Sequence, residues 1–152
     1  MKHIFLNLKR FDIPSQMGGV NSLAPLSGWG GTIVERTQDA LGKYNPQEAD
    51  FTMYFPEAHL IGAFQALRSG SPVKLGCQGV YREDTAPGGN FGAFTTNRPA
   101  AAAKALGCHS AIIGHCEERN DKSGLLSLAG VSGSLAGSVV NQVLNMEIKA
   151  AQ

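Results

Sequence analysis

Apolar residues recur along this chain with two different spacings, and the alternation between them predicts the secondary structure. At the start, Ile4, Phe5 and Leu6 lead into Asn7 and Lys9, a pattern of period two that predicts a strand over residues 3–9. Such a strand puts Phe5, Asn7 and Lys9 on one face, so that an amide and an ammonium project together. Residues 11–31 break the pattern; rich in Gly, Ser and Pro around Trp29, they read as a long loop or insertion. From 32 to 44 the positions of Ile33, Val34, Thr37, Ala40 and Leu41 follow a helical period. Residues 50–55 read as a second strand, and Pro56 opens a helix to about residue 69 with Leu60, Ile61, Phe64 and Leu67 at core spacing. A third strand is predicted over 73–81, a helix over 98–106 where Pro99 precedes a run of alanines, and a buried strand over 109–113 between Gly107 and Gly114. Glu117 and Glu118 begin a helix-compatible turn, and residues 122–137 return to Gly and Ser. Ser138 is expected to cap a last helix to about residue 151, with Val139, Val140, Val143, Leu144 and Ile148 facing inward. Four strand and helix steps call for a parallel sheet with right-handed crossovers.

Composition narrows the class. With 152 residues and 43% hydrophobic content the chain is long enough for one domain with a real core and too short to expect two. A net charge of +1, with both signs scattered, offers no basic face for nucleic acid, so small molecules and protein partners are expected. No apolar run approaches the roughly 18 residues of a membrane span, and the start lacks a signal peptide's apolar core, which points to the cytoplasm. Cys77, Cys108 and Cys116 are odd in number and lie in or beside predicted strands, so reduced thiols are expected. Without a C-x-x-C pair beside His109, Cys108 and Cys116, no metal site is expected, and no cofactor is expected either. The Gly-rich loop after the third strand is consistent with phosphate binding, but it lacks the GxGxxG and Walker patterns that would make that signal specific.

The chemistry concentrates where the apolar run Ala111-Ile112-Ile113 ends in Gly114-His115-Cys116-Glu117-Glu118-Arg119. In parallel α/β architectures the strand ends that feed helices bind ligands, because helix N-termini present free N–H groups and partial positive charge. An imidazole placed there sits in a field that disfavours its protonated form, so it can donate a hydrogen bond from a neutral ring to a carbonyl oxygen.

The segment resembles the Gly-His-Ser-Glu-Arg-Arg motif of the triosephosphate isomerase family, with Cys116 in place of the serine and Glu118 in place of the first arginine. Asn7 and Lys9 resemble the Asn-x-Lys that ends the family's first strand, and residues 75–95 resemble its Leu-Gly-Ala-Gln-Asn stretch followed by an acidic loop and Gly-Ala-Phe-Thr. The resemblance implies His115 as the electrophile, Lys9 on the substrate phosphate and against enediolate charge, Asn7 positioning it, and Glu117 as an accessory group. It also implies that Phe94 and Thr95 lie in a loop reaching a neighbouring subunit. The family's Thr-Gly-Glu is Thr95-Thr96-Asn97 here, so the glutamate and arginine that pair in the family are Asn97 and Glu118.

The fold so implied is a parallel (βα)4 half of a TIM-type barrel, a single truncated domain over 1–152, since a whole barrel needs about 250 residues. No later stretch resembles the family's Ala-Tyr-Glu-Pro-Val-Trp segment with its catalytic glutamate, nor its phosphate loops. The expected function is interconversion of dihydroxyacetone phosphate and glyceraldehyde 3-phosphate, dependent on assembly or on a missing partner. The alternative is a catalytically inactive relative acting as a self-assembling scaffold or phosphate-ligand binder. A third reading is a gene that continues past Gln152. The first and fourth strands of a half-barrel have unpaired edges, which predicts a homodimer or larger assembly.

Overall fold

In a computed structural model that describes residues 1–152, the strands β1 (Lys2–Asn7), β2 (Ala49–Phe55), β3 (Val73–Cys77) and β4 (Ser110–Ala111) form one sheet in the order β1-β2-β3-β4. Every neighbouring pair is parallel. Strand order that follows chain order without turning back distinguishes barrel winding from a doubly wound sheet. The sheet is curled, and with its helices it forms a (βα)4 half of a TIM-type barrel. It lies in the first of two units, Met1–Gln78 with Lys104–Ala111; the second comprises Gly79–Ala103 and Ile112–Gln152.

The register divides the sheet into two chemically different faces. His3 pairs with Asp50, Phe5 with Thr52 and Asn7 with Tyr54; Thr52 pairs in turn with Lys74, Tyr54 with Gly76, and Gly76 with Ser110. Alternation therefore gathers these residues on one face. The Asp50 carboxylate there receives Lys74 Nζ at 3.0 Å and meets His3 Nδ1 at 3.0 Å. The hydrogen bond from Lys74, helped by His3, holds the Asp50 carboxyl below its ordinary range. Nearer the strand ends, the Tyr54 and Ser110 hydroxyls meet at 3.0 Å. Between those two residues lies Gly76, where a Cβ would stand 2.6 Å from both the Ser110 carbonyl oxygen and the Tyr54 ring. Replacing Gly76 with valine is expected to cost about 1–3 kcal/mol through overpacking, read as a lowered midpoint in urea unfolding.

The other face carries Phe51, Met53, Phe55, Val73, Leu75 and Cys77, all buried. This apolar layer makes the core with Val34 of helix α1 (Trp29–Leu41) and Leu60 of α2 (Glu57–Ala66), both fully buried, and Trp29 sets its ring edge-on to Phe55 at 6.0 Å. Helix α1 starts at Trp29, not at residue 32 as the pattern predicts, because Gly30 and Gly31 serve close packing. A Cβ on Gly30 would stand 2.6 Å from the His59 carbonyl oxygen, and one on Gly31 would stand 3.2 Å from that of Gly62. Gln38 then ties the end of α2, its amide donating to the Ala66 carbonyl and accepting the Arg68 N–H.

The stretch 11–31, which the pattern leaves as a loop, is fastened by a buried polar cluster. Asp12 has no exposed surface; its Oδ2 meets His59 Nε2 at 2.9 Å and Arg10 Nη2 at 2.7 Å. The Asn21 amide donates to the carbonyls of Asp12 and Ala24, and the Trp29 ring lies 5.0 Å from that of His59.

In the second unit, helices α4 (Cys116–Leu128) and α5 (Gly133–Ala150) replace the loop predicted over 122–137. Ser123 and Gly124 sit inside α4, where the exposed glycine costs only about 1 kcal/mol of propensity. A Schellman turn ends α4 at Gly130, with the Gly130 N–H on the Ser127 carbonyl and the Val131 N–H on that of Leu126. Ser132, not Ser138, is the residue before α5. That helix buries Ala136, Val140, Leu144 and Glu147 and leaves Ile148 exposed, against the inward position expected for it. The short helix α3 (Ala100–Ala105) completes the chain order, and no helix is long and apolar enough to cross a membrane. Strands 1, 3 and 4 are shorter than predicted: β1 stops at Asn7, β3 at Cys77 and β4 at Ala111.

Candidate active site

The first strand ends in a turn built by its own side chain. Asn7 Oδ1 accepts the Lys9 backbone N–H at 3.0 Å, which draws the chain out of the extended path two residues early for Lys9 to belong to the strand. Lys9 thus leaves the face that Phe5 and Asn7 share, and its backbone takes φ 46°. For a residue with a Cβ this region costs about 1–2 kcal/mol and persists where the surroundings over-determine it. Here they do so through Gln78, the first residue after β3. Its Nε2 donates to Asn7 Oδ1 at 3.1 Å, to the Lys9 carbonyl at 3.0 Å and to the Tyr54 carbonyl at 3.2 Å. An amide and a strained lysine are therefore held at the carboxyl ends of three adjacent strands.

His115 precedes α4 as its N-cap, with extended backbone angles and its side chain accepting the Glu117 N–H at Nδ1, 3.3 Å away. In the tautomer that accepts this N–H at Nδ1, the ring hydrogen is on Nε2, while Glu117 Oε2 stands 3.4 Å from the same Nδ1. Nε2–H is then the donor the ring can offer. Glu117 and Glu118 occupy the first turn, where negative charge complements the helix dipole, and Cys116 Sγ lies 3.6 Å from Nδ1.

Behind this turn, Glu118, Lys122 and Glu147 make a partly buried ionic cluster. Lys122 Nζ lies 2.6 Å from Glu118 Oε1 and 3.0 Å from Glu147 Oε1, while Glu147 Oε2 is buried with no partner. Burial, followed by the neighbouring Glu118 carboxylate, raises the Glu147 pKa to about 7. Although burial opposes the shift, hydrogen bonds from its neighbours hold Glu118 below the ordinary glutamate range; hydrogen bonds to the two carboxylates likewise raise Lys122 despite its desolvation. The three act on stability in different windows. Glu118 contributes above its unfolded value and loses that contribution in acid, and Lys122 loses its own only in strong base. Glu147 alone titrates between 4.5 and about 7. The folded state keeps its proton where the unfolded chain has released it, so this group's contribution falls as pH rises through that window. Relative to wild type, Glu147→Gln should gain on the order of 2 kcal/mol between about pH 5 and about pH 8, measured by urea unfolding at each pH.

Asn7, Lys9 and Gln78 belong to the first unit, and His115 and Glu117 to the second. Also in the second unit is the loop expected to reach a neighbouring subunit. Phe94 turns inward, buried with its ring edge-on to Tyr81 at 5.9 Å, whereas Thr95 is exposed with φ 42°. The loop closes through the Tyr81 N–H on the Arg98 carbonyl, and Asp84 accepts the Ala101 N–H at the start of α3. No group of three or more His, Cys, Asp or Glu side chains gathers where a metal ion could be held. Sequence reasoning missed Gln78 as the brace of Lys9, although it lies in a quoted motif. It also missed the Glu118–Lys122 pair, whose spacing of four on a helix is a readable signal. Nothing along the chain points to Glu147 as their third member.

No individually curated protein matches the sequence. Among solved structures the fold is similar to triosephosphate isomerase from Bartonella henselae, with a TM-score of 0.61 and 19% identity, over 98% of this chain and 46% of that one. The chain thus spans about half the length of that structure. The family model for triosephosphate isomerase matches residues 31–140, a span that holds β2, β3, β4, Gln78 and His115. The chain belongs to the triosephosphate isomerase family.

Proposed function

We propose that this chain supplies the electrophile and the cation of a triosephosphate isomerase site in the cytoplasm, interconverting dihydroxyacetone phosphate and glyceraldehyde 3-phosphate. The observation that carries the reading is the Glu117 N–H on His115 Nδ1, which leaves Nε2–H to polarise a substrate carbonyl. The ammonium of Lys9 balances charge on the phosphate and the developing enediolate, and Asn7 with Gln78 holds its backbone. Glu117 is an accessory group beside the ring, with Oε2 3.4 Å from Nδ1. Proton transfer between the two carbons also needs a carboxylate base, which in this reading comes with self-assembly or from a missing partner and not from the motifs described above.

Self-association fits the sheet. Its order leaves β1 and β4 at the edges, and Ile4, Phe5 and Leu6 of β1 are 45%, 64% and 46% exposed. A second copy joining these edges makes a homodimer or larger assembly. The same exposed strand favours the second reading, an inactive self-assembling scaffold or phosphate-ligand binder. Light scattering on the purified chain, followed by a coupled isomerase assay of each species, decides between them. The enzymatic reading expects turnover in the assembled species and turnover lower by about 10²–10³-fold in His115→Gln; an assembled protein without turnover supports the scaffold, and a stable monomer counts against self-association.

A further inference from the structure

We propose that Glu118, Lys122 and Glu147 form a clamp that positions His115 by fixing the peptide groups of Gly114, so that α5 is a positioning element of the site. This rests on the reading of His115 as the electrophile.

Gly114, with φ 78°, is the last residue before the histidine, and both of its peptide groups are held by α4 side chains. Glu118 Oε2 accepts its N–H at 2.6 Å, and Arg119 Nε donates to its carbonyl at 2.9 Å. Each of these side chains is held in turn. Lys122 spans Glu118 and the buried Glu147 of α5, and Arg119 Nη1 donates to Asn141 Oδ1, also on α5, at 2.9 Å. Leu144 of the same helix closes the back of the turn, its Cδ1 lying 3.4 Å from where a Gly114 Cβ would stand. A glutamate at position 118 therefore has work that an arginine there could not do, since only an acceptor can take the Gly114 N–H. Short charge-assisted bonds of this kind fix orientation as well as contributing energy. The backbone that leads into the N-cap is thereby restrained at both ends, and with it the ring whose Nδ1 must meet the Glu117 N–H.

The test uses the full chain labelled with nitrogen-15, because the imidazole resonances report the tautomer whether or not the protein turns over substrate. Wild type is expected to show a single Nε2–H tautomer and a strongly hydrogen-bonded Gly114 amide. Glu118→Ala should convert His115 to a tautomer mixture and weaken the Gly114 bond, and Glu118→Gln, which keeps an acceptor oxygen, should restore most of the wild-type pattern. Lys122→Met should give an intermediate shift, and it decides in the same way if Glu118→Ala does not fold. Ring and amide signals unchanged in the folded variants would overturn the clamp, even if turnover fell. Altered ring signals in a protein that never isomerised triose phosphate would uphold the clamp and overturn the enzymatic reading instead.

Discussion

Replacing Asp12 with alanine is expected to destabilise the fold by about 3–5 kcal/mol, the range for removing one partner of a buried pair. The carboxylate has no exposed surface and is shared between His59, itself almost wholly buried, and Arg10, whose side chain remains 59% exposed. Arg10 can return to water when the carboxylate goes. His59 cannot, and its Nε2 would be left in the core without a partner. The main-chain carbonyl of residue 12, which accepts from Asn21, is kept in the variant, so the stretch before α1 loosens only through loss of the side-chain clasp. Trp29, the single tryptophan, lies 5.0 Å from the His59 ring and reports the change by fluorescence during urea unfolding. A second variant separates burial from pairing. Asp12→Leu combined with His59→Phe removes both polar partners, so it should recover a large part of what the single change loses. A double variant no more stable than Asp12→Ala would show that the pairing itself, and not the orphaned imidazole, holds this region.

The largest expected effect on function is at His115. His115→Gln should lower isomerase turnover in the assembled protein by about 10²–10³-fold, the scale for losing one preorganised donor to a developing oxyanion. Glutamine still offers an N–H of similar reach, but its amide cannot pass a proton between oxygens as an imidazole can. It can accept the Glu117 N–H, so the start of α4 should survive, and circular dichroism should be unchanged. The effect should fall on kcat more than on KM, because the donor acts most strongly where charge develops. Equal activity in variant and wild type would remove the electrophile from this reading.

Much of the architecture was legible in the chain because β2, β3 and β4 are short apolar runs flanked by Gly or Pro and α1 keeps a helical period, whereas Ile61 of α2, expected at core spacing, is exposed. What escaped was composition doing an unexpected job. Gly30 and Gly31 resemble loop residues, yet they belong to a helix packed closely on another. Ser123 and Gly124 resemble a linker, yet they continue a helix stabilised by the Glu118–Lys122 pair. At the site, the motif residues Asn7, Lys9 and His115 could be named in advance. The left-handed backbone of Lys9 could not, since strand periodicity carries no information about the side-chain hydrogen bond that ends it. Asp12 and His59 lie 47 residues apart and Gln78 and Lys9 lie 69 apart. Polar pairs so distant leave no local trace.

The order β1-β2-β3-β4 bears also on how the protein is made. Each strand after the first binds edge to edge with the one translated just before it, so no strand waits at the ribosome for a partner still to be synthesised. The chain can therefore fold vectorially, adding one strand at a time to a growing sheet. While β2, β3 and β4 are added on one side, the other edge of β1 takes no partner from among these four strands.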